Sequence, residues 1–358
     1  MNNDIQRIQW IDLAKSFMIM IVIFCHVPQY DTIEKAFFCS FQMPFFFFVS
    51  GFLHKRAHTL SERFHKYWIT LLVPYFIFQI ISYPYFLAQN VLQEGRDINN
   101  IFDFGILPLI KTIIGLPIDG PTWFIFSLFI MKTIMDFVHK DSKQCTRLLV
   151  SLFASFIISY LFVIKDDSIK ISFCIDSTVR FFPFFIIGQL FKVRYSKQMQ
   201  NNGNRYMLAL SGVFFTVATI VALEMIRCNI CNQNFLFYYC IATLGTSSVI
   251  LFCKCINRCP KFLNIISLGT IVILGTHWMF IGLINFVIEK AFDLQAVKYS
   301  TLVATIVVLF ITLVNYFIIQ FSMKYFPIVL GGRRTSKVFN HFQLSKLNAL
   351  EAEGKQVE

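Results

Sequence analysis

Ten apolar runs of membrane-spanning length follow one another along this chain with only short polar segments between them, and no other feature limits the possible fold as strongly. They fall near residues 10–27, 36–53, 67–88, 121–138, 148–164, 173–191, 206–226, 235–253, 262–288 and 300–323. About 20 apolar residues cover the ~30 Å hydrocarbon core as an α-helix, and within lipid every backbone N–H and C=O must be satisfied inside the segment. Composition agrees, since 56% of the 358 residues are apolar, 15% are charged and 44 are Phe, a balance that no water-facing surface accommodates. The expected fold is all-α, a polytopic bundle of about ten transmembrane helices. It forms one membrane domain over 1–323, followed by a tail over 324–358. The apolar stretch from Ile106 to Leu116 is too short to span and is expected to be re-entrant or interfacial.

In a water-soluble protein a formal charge of +12 would point to nucleic acid, but here the Lys and Arg residues cluster in alternate loops of a lipid-embedded chain. The loops at 54–66, 139–147, 192–205 and 254–261 hold 14 of them and the intervening set holds 8, which makes the first set cytoplasmic. Both termini then lie inside, with Lys324, Arg333, Arg334 and Lys337 following the last span. A cleavable signal peptide is not expected, because Asp4, Arg7, Asp12 and Lys15 precede or interrupt the first run. Of the ten Cys, those inside runs (Cys25, Cys174, Cys240) read as small apolar residues. The Cys228/Cys231 pair and the group Cys253, Cys255 and Cys259 lack the partner pair or His spacing of a zinc site, and no metal is expected.

Ionisable side chains inside spans are costly, so the short list of them carries most of the functional information. It comprises Asp12, Lys15, His26, Lys132, Asp136, Arg180, Glu224 and His277. Lys132 and Asp136 read as an i,i+4 pair that snorkels toward the basic side. Lys15 and His26 stand about three helical turns apart, on one face and roughly 16 Å from each other along the axis. Asp12 lies within pairing distance of Lys15. This stripe has a bland account, in which Lys15 snorkels with Asp12 as counter-ion and His26 hydrogen-bonds beside Pro28. Its functional account is an anion bound at the cytoplasmic end and proton or acyl chemistry at the outer end, where an imidazole with an ordinary pKa of about 6.5 accepts and returns a proton. Arg180 and Glu224 lie toward the outer ends of the sixth and seventh runs and are expected to pair in a cavity facing His26. His277, mid-span beside Trp278, is either satisfied by a backbone or hydroxyl partner or is a second candidate for function.

The opening RIQWIDLAKSFMIMIVIFCH (Arg7–His26) and the following FQMPFFFFVSGFL (Phe41–Leu53) resemble the acyltransferase-3 family, in particular the fucose 4-O-acetylase-like bacterial sugar O-acetyltransferases. That family carries a basic residue, ten intervening positions and a His in its first helix, as Lys15 and His26 do here. PTWFIFSLF from Pro121, FFPFFIIGQLF from Phe181 and SLGTIVILGTHW from Ser267 follow in the same order, so the similarity covers the chain up to about Met323.

The resemblance implies transfer of an acyl group, usually acetyl, from cytoplasmic acetyl-CoA to a hydroxyl of an envelope glycan or lipid-linked sugar at the outer face of a bacterial inner membrane. His26 is then the general base or transient acyl carrier, and Lys15 with Asp12 serves the donor. Gln42, Trp123, Arg180, Glu224 and His277 fall to the acceptor side. Gln42 stands where related sequences often carry His, which points to a different acceptor hydroxyl or sugar. The small residues Ser50 and Gly51 read as sites of close helix packing. A polytopic transporter or flippase for a glycan precursor would also need intramembrane charges, but it typically shows repeated halves and matching helix breaks, which are not found here.

Single-Cys labelling tests the orientation. Probes in the loops at 54–66, 139–147, 192–205 and 254–261 should all react only from the cytoplasmic side, and outer-face labelling of 192–205 would overturn it.

Overall fold

In the computed structural model, which describes residues 8–30, 33–55, 60–92, 102–138, 144–164, 172–195, 205–227, 235–294 and 296–331, all ten apolar runs are helical and no strand occurs among these residues. The first run is α1 (Gln9–His26), and the second is α2 (Ile33–Leu53). A short amphipathic helix, α3 (Leu60–Tyr67), leads through a π-helical turn at Trp68–Leu72 into α4 (Val73–Leu92). Pro74 accounts for that turn. It has no N–H for the Thr70 carbonyl, and the preceding Val73 N–H bonds back to Trp68, five residues away.

The stretch expected not to span forms only α5 (Leu107–Ile113), after which the chain turns at Gly115 and enters α6 (Trp123–Val138). The remaining elements are α7 (Gln144–Ile164), α8 (Ile175–Tyr195), α9 (Arg205–Arg227), α10 (Phe235–Ile256), α11 (Lys261–Leu268), α12 (Thr270–Phe292) and α13 (Thr301–Tyr325). Seven of the helices among the described residues are long and apolar enough to cross a bilayer by length and composition. α6, at 16 residues, falls short of that length, and the apolar part of α9 covers only Tyr206–Val221.

Where polar residues fall decides which helices are central. α1 carries the charged stripe, and it is enclosed by α2, α10, α11, α12 and α13. α7 carries no such stripe and lies at the rim, where Val150, Phe153 and Leu161 are exposed, as a lipid-facing row must be. α2 and α8 pack backbone against backbone. A Cβ at Gly51 would collide with the backbone of Phe185, and one at Gly188 with the backbone of Phe48. Two small residues therefore let the backbones meet, the role expected for Gly51. Above and below this crossing Phe47 stacks on Phe181, and Phe48 and Phe52 pack on Phe191.

The ninth run differs from a single span, because it breaks at Gly269 into α11 and α12. Gly269 fits the side chain of Ile319 from α13, and Thr276 of α12 donates to the Asn315 side chain of α13, which fixes the broken helix against its neighbour. After α12 ends at Asp293, the chain returns to pair Tyr299 with the segment just beyond α1. The Tyr299 N–H donates to the Pro28 carbonyl at 2.9 Å.

The start of α1 meets the ends of α2 and α10, with Trp10 edge-on to Phe52 and Gln9 accepting from the Cys259 N–H. The chain beyond Met323 completes α13, and a turn at Pro327–Leu330 then brings Gly331 against the backbone of Thr70. The 332–358 part of the tail and the Cys228/Cys231 pair lie outside the described residues.

The α2–α8 contact predicts an asymmetry among glycines. Gly188→Leu should cost about 1–3 kcal/mol or more of overpacking and lower the yield of folded protein in a detergent size-exclusion assay. Gly212→Ala, where an added Cβ meets nothing within 4 Å, should leave that yield unchanged.

Candidate active site

The polar stripe of α1 is satisfied by the broken helix. Breaking at Gly269 leaves the last carbonyls of α11 without helical donors. The Lys15 ammonium donates to one of them, the Ser267 carbonyl, at 2.7 Å, where the negative end of the α11 dipole also favours a cation. The Ser267 hydroxyl in turn donates to Asp12 Oδ1 at 2.7 Å. One turn along, the Ser16 hydroxyl lies 2.7 Å from the Asp12 carbonyl and 2.6 Å from the Leu263 carbonyl of α11. Asp12 and Ser16 are buried and Lys15 is half-buried. The acid and base of the first turns are thus locked onto α11 by three charge-assisted or buried hydrogen bonds, and do not snorkel freely.

At the other end of the same face stands His26, the last residue of α1, half-buried beside His277 of α12. His26 Nδ1 lies 2.8 Å from the Val22 carbonyl, and His277 Nδ1 lies 2.7 Å from the Ile273 carbonyl. A carbonyl can only accept, so both rings carry their proton on Nδ1. His277 Nε2 is then an acceptor, and it faces His26 Nδ1 at 3.4 Å, a second and weaker partner for the same N–H. Trp278 closes the other side, its ring edge-on to His26 at 5.7 Å. What remains is His26 Nε2, which in the neutral ring is the unprotonated nitrogen and has no hydrogen bond among the described residues. Two backbone-anchored contacts orient it, as a general base or nucleophile requires. His277 has no exposed surface and stands behind His26, where it can position that ring but not meet a substrate.

The other expected residues are dispersed. Gln42 is buried in α2, and its side-chain carbonyl oxygen has no hydrogen-bond partner among the described residues. Trp123, at the start of α6, stacks on Phe181 at 5.8 Å and belongs to an aromatic layer with Phe47. Arg180 is half-buried in α8, and its carbonyl accepts from the Tyr239 hydroxyl. Its expected partner, Glu224, has a side chain outside the described residues. Asp136 acts on its i,i+4 neighbour Lys132 by charge alone, and its hydrogen bonds go elsewhere. Asp136 accepts from Tyr67 at 2.7 Å and meets His54 Nε2 at 3.0 Å, so both carboxylate oxygens are used by side chains of α3 and the end of α2.

Two further features escaped the sequence analysis. Ser267, which carries half of the Lys15–Asp12 lock, is an ordinary serine in an apolar run. Asp119, in the turn before α6, is buried with neither carboxylate oxygen bonded among the described residues, while its backbone N–H and that of Ile118 donate to Gln79. Burial pushes its carboxyl well above the usual carboxylate range.

A family model described as an acyltransferase domain matches residues 8–321, a span that includes both ends of the α1 stripe and the whole of the broken helix. No curated protein and no solved structure gives a match.

The lock between α1 and α11 predicts energetic coupling. Ser267→Ala removes a donor from a buried carboxylate and should cost about 1–3 kcal/mol of stability. In a double-mutant cycle with Asp12→Asn, read by thermal unfolding in detergent, the two losses should fall short of their sum, and additivity would show that the residues act independently.

Proposed function

The chain belongs to the acyltransferase family whose domain it carries over residues 8–321, and from that premise we propose that this membrane acyltransferase moves an acetyl group from cytoplasmic acetyl-CoA to a hydroxyl of an envelope glycan or lipid-linked sugar at the outer face. The observation that carries the proposal is His26 Nε2, left unprotonated and unbonded by a ring fixed on the Val22 carbonyl and backed by His277.

The acceptor hydroxyl gives its proton to His26 Nε2 as its oxygen bonds to the thioester carbonyl carbon. The tetrahedral intermediate then collapses with breakage of the C–S bond. The departing CoA thiolate recovers the proton from His26, which returns to its resting tautomer. While His26 is an imidazolium, its Nδ1–H keeps both acceptors, the Val22 carbonyl and His277 Nε2, so the charge forms against dipoles already in place. In this reading His277 is a positioning residue. Lys15, with Asp12 and Ser267, orders the inner end of the face along which the donor arm lies. The buried and unbonded side-chain oxygen of Gln42 supports an acceptor or donor group with an N–H or O–H to give.

Replacement of His26 by Ala should abolish acetyl transfer, a loss of about 100-fold to 10,000-fold from general-base help alone, with expression and membrane insertion intact. Lys15→Ala should weaken use of acetyl-CoA, and Lys15→Arg should keep part of the activity. His277→Phe should lower kcat about tenfold with KM little changed and should shift the acidic limb of the pH–rate profile, whereas a purely structural residue would change yield and not the profile. Radiolabelled acetyl transfer to glycan in proteoliposomes measures all of these. A His26→Ala variant that inserts normally and still acetylates at the wild-type rate would refute the assignment.

A further inference from the structure

The last turns of α1 pack on the first turns of α2, and three side-chain contacts hold the seam between them. Phe24 of α1 meets Phe38 of α2 edge-on, with ring centroids 5.9 Å apart. The next residue on each helix is a cysteine, and the Cys25 and Cys39 thiols share a hydrogen bond. Just beyond α1, the Val27 carbonyl accepts from the Lys35 ammonium at 3.3 Å, and Lys35 stands one turn before Cys39 on α2. The two thiols are therefore brought face to face by contacts on both sides of them, across an interface between two helices.

Acetyl transfer as described above makes no use of these thiols. Both are free, Cys25 buried and Cys39 half-buried. Lys35 acts by charge on Cys25, on Cys39 and on His26, so the four groups share one neighbourhood at the end of α1. A cation beside a thiol stabilises the thiolate, which is the form that attacks a disulfide sulfur. Cys39, the more accessible thiol and one turn from Lys35, is placed to attack first. Cys25, covered but in contact with it, is placed to resolve. Cys174 shows the contrast, a buried thiol that donates to the Gly115 carbonyl at 2.7 Å.

Two thiols within hydrogen-bonding reach need only a small approach of their sulfurs to reach the bonded separation of about 2.05 Å. The orientation read from the basic loops puts this end of α1 at the outer face, the side of a membrane on which disulfides form and persist. A bond here would tie the residue that precedes His26 directly to α2.

We propose that Cys25 and Cys39 are a redox-active pair that closes to a disulfide by exchange with an oxidised thiol compound, a small disulfide or a disulfide-carrying protein, and so braces the end of α1 against α2. The Cys39 thiolate bonds to one sulfur of the incoming disulfide and expels the other as a thiol. Cys25 then displaces the second thiol and the cystine is complete. The two cysteines give up two electrons and two protons, and the incoming disulfide takes them up as two thiols. No acyl group takes part, so the pair stands or falls apart from the acetyl-transfer reading.

The full chain in phosphatidylcholine nanodiscs is treated with 4,4′-dithiodipyridine, a small neutral disulfide, then alkylated with N-ethylmaleimide and digested with trypsin for mass spectrometry. Cleavage after Lys15, Lys35 and Lys55 puts Cys25 in the peptide 16–35 and Cys39 in the peptide 36–55, each with a single cysteine. In the wild type these two peptides should be recovered joined, and dithiothreitol should part them. In Cys25→Ser the reaction should stop at a thiopyridyl adduct on Cys39, whereas in Cys39→Ser the adduct on Cys25 should form about tenfold more slowly or less. Closure should raise the Tm of the wild type by several degrees, dithiothreitol should reverse the rise, and Cys25→Ser should not show it. Recovery of the two wild-type peptides unjoined, or of either one joined to a different cysteine, would overturn the pair. Equal adduct rates in the two variants would overturn the order of attack, and an unchanged Tm on closure would overturn the bracing. Because no readout requires turnover, a chain that closes this disulfide and transfers no acetyl would refute the proposed function and leave the pair standing.

Discussion

A helix that carries Asp12, Lys15 and His26 through lipid must be covered by protein on that side, and the arrangement of the bundle follows from that requirement. Five helices surround α1, while α7, whose one charged residue, Arg147, lies in its first turn, remains at the rim. The cover cannot be a uniform apolar surface, because Lys15 and Asp12 need partners of opposite hydrogen-bonding sense at one level. The break at Gly269 supplies both from one residue, since the Ser267 carbonyl accepts from Lys15 and its hydroxyl donates to Asp12. An unbroken helix would have spent that carbonyl on its own backbone. The irregularity lies inside the bundle, where freed backbone groups can be satisfied by side chains.

The spans were legible in the sequence because the solvent is lipid, and lipid imposes length and apolarity on each segment separately. The relation between Lys15 and His26 was legible for a similar reason, since helical geometry fixes which residues share a face. What they touch was not. Ser267 lies 252 positions from Lys15, and His277 lies 251 from His26. The break between α11 and α12 left no hydropathic trace, because a single Gly in a run of Leu, Ile and Val reads as a continuous span. Asp136 shows the opposite failure. An i,i+4 neighbour of opposite charge suggested a local pair, but a carboxylate buried at a helix end went to His54, 82 residues away, and to Tyr67.

The two ends of α1 solve different electrostatic problems. At the end where the helix begins, charged side chains are numerous, and Lys15, Lys66 and Lys192 each donate a hydrogen bond to a backbone carbonyl. At the other end the Lys35 ammonium stands nearby, on the Val27 carbonyl, and the imidazole is oriented by the Val22 carbonyl and a second imidazole. A clamp of backbone hydrogen bonding between Tyr299 and Pro28 fixes the chain just beyond it. The fold therefore separates a region rich in charge from one built on paired imidazoles, along a single helix.

The choice of His277 as the group behind His26 has an electrical consequence. A carboxylate in that place would leave a fixed negative charge within the apolar layer, and a membrane potential exerts about 2.3 kcal/mol per elementary charge for each 100 mV traversed. Two imidazoles, each with one proton held by its own helix carbonyl, form a dipolar pair with no net charge for the field to act on. With both rings neutral the couple is indifferent to the energisation of the membrane, and only uptake of a second proton by one ring would make it voltage-sensing.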